Sequence, residues 1–71
     1  MTATGVEIAT AKVKGSDWCW ILRVDDIGLY RWYLGGWIAM NIRGTTRKSA
    51  ESALARFVQR TLRRELEITA A

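Results

Sequence analysis

Beyond Gly44 the chain contains neither glycine nor proline, and its apolar residues fall on one side of a helical wheel. Ala50, Leu54, Phe57, Val58, Leu62 and Leu66, with Thr61 among them, recur at the spacing of a single helix face. Gly44-Thr45-Thr46 comes just before, and Thr45 or Thr46 can cap a helix by accepting from an early backbone N–H. The pattern predicts one long amphipathic helix running to about Glu67, with Arg56, Arg60 and Arg63 on its opposite side. A lone helix cannot bury such a stripe, so the preceding residues must supply a surface for it.

Those residues read as strands. Val6 to Lys14 alternates Ala9, Ala11 and Val13 against Thr10, Lys12 and Lys14, with Val6 and Ile8 on the opposite parity, so a bulge or a change of partner falls near Ile8. After the Gly15-Ser16 turn signal, Asp17 to Asp25 sets Trp18, Trp20, Leu22 and Val24 against Cys19, Ile21, Arg23 and Asp25. Asp25-Asp26-Ile27-Gly28 makes a turn, and Leu29 to Leu34 is a third strand. Gly35-Gly36 is either a hairpin turn or a bulge that merges strands three and four. Trp37 to Arg43 sets Ile38, Met40 and Ile42 against Trp37, Ala39, Asn41 and Arg43. The face bearing Trp20, Leu22, Trp32, Ile38, Met40 and Ile42 is the one the helix should cover.

The expected fold is therefore α+β: a three- or four-stranded antiparallel β-meander packed on one long C-terminal amphipathic helix. Residues 1–5 form a flexible arm, 6–67 the single domain and 68–71 a fraying end. With 71 residues such a domain has a thin core. Four Trp can thicken it or form an interface.

Chemistry is limited by composition. There is no His and one cysteine, Cys19, so the commonest general base, an intramolecular disulfide and a Cys-rich metal site are all excluded. Cys19 reads as buried filler and Asp25-Asp26 as turn residues. No catalytic residue, metal or cofactor is expected. The start lacks the pattern of a signal peptide and no apolar run approaches a membrane span, so the cytoplasm is the expected compartment and no membrane partner is expected. A net charge of +4 is compatible with a polyanion.

Covering one sheet face leaves the other open. By parity that face carries Lys12, Lys14, Arg23, Arg31, Tyr33, Trp37, Asn41 and Arg43. Arg suits phosphate or the guanine edge, Asn suits adenine, and the rings offer stacking area. Long basic stems are also what an open antiparallel face ordinarily carries. A second basic set lies on the helix: Arg56, Arg60, Arg63 and Arg64, with Arg43, Arg47 and Lys48 making a basic corner at its start. A solvated helix face is ordinarily charged as well.

The order of strands followed by one amphipathic helix resembles the β-meander-plus-helix DNA-binding domains, namely the ethylene-response-type domain of plants and the arm-binding domain of tyrosine recombinases. In those families the sheet reads the major groove with Arg and Trp while the helix packs behind; Arg23, Arg31, Trp37 and Arg43 are the corresponding residue types. Trp18 through Arg60, with its Ser-Ala-Glu-Ser-Ala stretch, also resembles the YegP-like domain. The small, basic, Ala/Arg-rich character resembles reading frames of actinobacterial phages. The resemblance implies a small non-enzymatic DNA-binding protein of phage or mobile-element type. The alternative is a protein-interaction module, either a homodimer or a phage-encoded inhibitor of a host protein. It would use Trp37, Tyr33 and Ile21 as anchors and an exposed edge strand such as Val6 to Lys14.

Overall fold

The computed structural model describes residues 5–15, 18–35 and 38–70, with the backbone alone described at 38 and 39. Strands β1 (Val6–Val13), β2 (Cys19–Val24), β3 (Tyr30–Leu34) and β4 (Ile38–Gly44) precede helix α1 (Arg47–Thr61), and β5 (Leu66–Ala70) follows it. The strands form one antiparallel sheet in the order β4-β3-β2-β1-β5. The architecture is α+β, a meander with one helix packed against it, and a fifth strand joins the sheet beyond the four expected.

Alternation decides which face is covered. Ala9, Ala11 and Val13 of β1, Trp20 and Leu22 of β2, Trp32 of β3 and Ile42 of β4 are buried with Ala50, Leu54 and Val58 of the helix. Met40 and Phe57 pack against them. Trp20 and Trp32 are the largest of the fully buried side chains. The helix lies over β3 and β4. It is fixed there by Trp32, whose Nε1 donates to the Ala50 carbonyl at 2.8 Å.

Both helix ends have local causes. Thr46 is the N-cap: its Oγ1 accepts from the Ser49 N–H, and the Ser49 hydroxyl accepts from the Thr46 N–H. This is a capping box built with serine in the third position. Gly44 precedes it because a Cβ there would collide with the Ser49 hydroxyl and lie 2.6 Å from the Ala50 nitrogen. At the other end Arg63 adopts a left-handed backbone, φ 53°, and its N–H returns to the Val58 carbonyl at 3.0 Å.

That reversal corrects two expectations. The helix ends at Thr61, not near Glu67, and Leu66–Ala70 is a strand, not a fraying end. Leu66 fits both a helix stripe and the strand alternation Leu66, Ile68, Ala70, and the αL turn at Arg63 chooses the strand by redirecting the chain along β1. The β1 strand is consequently interior, paired on both sides, and is not the exposed edge expected of it; the edges are β4 and β5.

Two irregularities were open in the sequence. The β1–β2 register shifts between Glu7 and Ala9, which places a bulge at Ile8 and reconciles the parity of Val6 with that of Ala9. Strands β3 and β4 are separate and antiparallel, with Leu34 opposite Ile38, so they are not merged into one long bent strand. Gly36 and Trp37 themselves lie outside the described residues, as do 1–4, 16, 17 and 71, which hold most of the proposed arm. Asp25 holds its turn as expected: its Oδ1 accepts from the N–H of Ile27 at 3.1 Å and of Leu29 at 2.9 Å.

Candidate functional site

The face opposite the helix is organised in cross-strand rows. Glu7, Arg23, Arg31 and Arg43 stand in direct register across β1, β2, β3 and β4. Beside them run Thr69, Thr10, Ile21, Tyr33 and Ala39, and then Glu67, Lys12 and Cys19. The arginine row survives the irregular β3–β4 pairing because the shift between Arg31 and Tyr33 adds two residues to β4, which preserves side-chain parity. Three arginines are therefore one strand apart from each other, at roughly 5 Å per step.

Like charges in directly opposed positions oppose sheet formation, so the local electrostatics of this row matter. Arg23 is anchored: its Nη1 donates to the Gly5 carbonyl at 3.0 Å. Arg31 is half-buried, and its Nε is enclosed and makes no hydrogen bond among the described residues. Arg43 is exposed. Among the described residues the ion pairs are Lys14 with Glu65 and Arg47 with Glu51, so neither Arg31 nor Arg43 is neutralised by a carboxylate there. The positive end of the face is β2-β3-β4, while Glu7 and Glu67 lie toward β1 and β5.

The other expected residues divide. Asn41 is exposed on β4 within the irregular stretch opposite Trp32, beside the arginine row. Lys12 is exposed two rows away, directly between Glu67 and Cys19. Lys14 lies at the far end of the sheet, with its Nζ 4.0 Å from Glu65 and its carbonyl accepting from Arg64. It belongs to the junction that ties the β1–β2 turn to the start of β5, not to the arginine row. Tyr33 is on the open face as expected but is only 8% exposed. At that exposure it offers little area for stacking. Trp37 lies outside the described residues.

At the helix start two of the donors are already engaged. The Ser49 N–H is already taken by the Thr46 hydroxyl, and the Arg47 Nε bonds the Glu51 Oε1 at 2.9 Å. Cys19 is exposed at the first position of β2, on the uncovered face, which corrects the expectation of a buried filler. Among the described residues no group of His, Cys, Asp or Glu could hold a metal ion, and no helix is long and apolar enough to cross a membrane.

Sequence parity placed the arginines on one face, but it could not show that they align. Alignment depends on the turn lengths and on the β4 irregularity, neither of which alternation encodes. The fifth strand also departs from the strands-then-helix order that carried the resemblance to the DNA-binding meanders. No family model, no curated protein and no solved structure matches the chain.

Proposed function

We propose that this chain is a small non-enzymatic DNA-binding protein that contacts DNA through the open face of its sheet. The observation that carries the reading is the row Arg23, Arg31 and Arg43, set side by side on adjacent strands with no carboxylate on Arg31 or Arg43 among the described residues. A fold that stacks three like charges accepts a cost of about 0.2–1 kcal/mol for each opposed pair. A phosphate backbone removes that cost and converts it into affinity.

Each side chain has a role in this reading. Arg23, held by the Gly5 carbonyl, and Arg31, half-buried with its Nε enclosed, are the phosphate contacts in this reading. Arg43 and Asn41, exposed on edge strand β4, are the groups able to reach base edges. Lys12 adds long-range attraction. Tyr33, only 8% exposed, is not a stacking platform. The phage or mobile-element setting follows from the resemblance of the sequence and belongs to the same proposal.

The test is a fluorescence anisotropy titration of mixed-sequence duplex DNA over a range of salt. Wild type should bind, with affinity falling steeply as salt rises. The triple variant R23Q/R31Q/R43Q should bind far more weakly, with a salt slope smaller by about 0.9 for each phosphate no longer neutralised. Absence of binding at low salt, or a triple variant that binds like wild type, overturns the proposal.

A further inference from the structure

The β5 strand is an edge that lacks the usual protection. Natural edges are blunted by lysine, proline or bulges. The other edge, β4, has both an irregular register and the charge of Arg43. By contrast β5 pairs with β1 in unbroken register from Val13–Leu66 to Ala9–Ala70, and its sequence Leu-Glu-Ile-Thr-Ala contains no cation, proline or glycine. Ile68, at its centre, is 37% exposed.

The direction of its free backbone groups follows from the ladder. The Lys14 N–H donates to the Glu65 carbonyl at 3.2 Å, which makes residues 65, 67 and 69 the ones whose backbone groups turn toward β1. Leu66, Ile68 and Ala70 therefore direct their N–H and C=O groups away from the sheet. Their side chains share the helix side, since they stand opposite the buried Val13, Ala11 and Ala9. An open groove of about 480 Å³ lies between this side of β5 and the helix, lined in part by Ala55, Gln59, Leu66 and Ile68.

We infer that β5 pairs with β5 of a second copy of this chain, antiparallel about Ile68. The register is self-complementary. Ile68 faces its own copy, Leu66 faces Ala70, and Glu67 faces Thr69, so no like charges are opposed. The outward N–H and C=O groups of Leu66, Ile68 and Ala70 satisfy each other across the two-fold axis. Two Ile68 side chains meet on the axis beside the two grooves, and the apolar exposure is covered from both sides. A foreign strand would need to match this pattern, whereas the chain itself already does. The pairing is of the isologous kind from which two-fold dimers are built.

The ladder also supplies a selective test. Proline at position 68 removes an N–H that points outward and leaves the bonds to β1 intact. Light scattering coupled to size exclusion, over a concentration series, should give a dimer for wild type that dissociates on dilution. Ile68→Pro should be monomeric, and Ile68→Lys should be monomeric as well, because two cations would meet on the axis. Far-UV circular dichroism identifies which variants are folded, and Ile68→Lys serves if the proline variant is not. A wild-type protein that is monomeric at every concentration overturns the inference, as does a dimer that survives in a folded variant. DNA binding by a monomeric variant can be measured separately, so the two proposals fail independently.

Discussion

The indole Nε1 of Trp32 lies 2.8 Å from the carbonyl oxygen of Ala50, joining the central part of the sheet to the first turn of the helix inside the core. Trp32 is fully buried, so this hydrogen bond forms away from water and orients the helix on β3. Trp32→Phe removes the donor and part of the ring. We expect a folded protein destabilised by about 2–4 kcal/mol, the sum of a missing buried hydrogen bond and a cavity. A urea titration followed by circular dichroism reads this as a lower midpoint with an unchanged slope.

Gly44→Ala is expected to be costly although Gly44 has no unusual φ. The added methyl would meet the Ser49 hydroxyl and the backbone at Ser49 and Ala50. The capping box must open or the β4–α1 junction must shift, for a loss of roughly 1–3 kcal/mol. Thermal unfolding should show the drop. The companion variant Thr46→Ala, which removes the cap alone, should lose about 1 kcal/mol.

Arg63→Gly is expected to stabilise. Arg63 occupies the left-handed region at φ 53°, where a Cβ is strained and glycine is not. The gain, up to about 1 kcal/mol, is reduced by the larger entropy of glycine in the unfolded chain. A raised urea midpoint checks it, and a lowered one would mean that the packing of the Arg63 side chain outweighs the strain.

Much of the fold was legible because alternation and helical periodicity report burial directly. Ala9, Ala11 and Val13, then Trp20 and Leu22, then Leu54 and Val58 are all in the core where the patterns put them. The fifth strand was hidden because Arg63 carries no glycine signal for the αL turn, and because Leu66 satisfies both periods. Parity put Tyr33 on the correct face but said nothing of its burial, since it gives direction and not the density of neighbours. Glu7, which ends the arginine row on β1, was missed because the bulge at Ile8 changes its parity relative to Lys12.

The arginine row predicts opposite effects on stability and binding. Neutralising Arg31, which has Arg23 on one side and Arg43 on the other, relieves two like-charge oppositions. Arg31→Gln should therefore raise the urea midpoint slightly at low salt, by roughly a few tenths of a kcal/mol, and the difference should fade at high salt. The same variant should bind duplex DNA less tightly. A variant that loses stability at both salt concentrations would mean that the arginine is held for its packing.

The placement of β5 beside β1 has a kinetic consequence. Ala9 pairs with Ala70, so almost the whole chain must be ordered, or at least looped, before that ladder can close. Pairings of such separation form late and slow the folding of a small domain. During synthesis the first four strands and the helix can emerge from the ribosome before the last strand does. Through that interval β1 presents a bare flank to any neighbouring nascent chain, which makes Leu66–Ala70 a guard against misassembly as much as a part of the finished sheet.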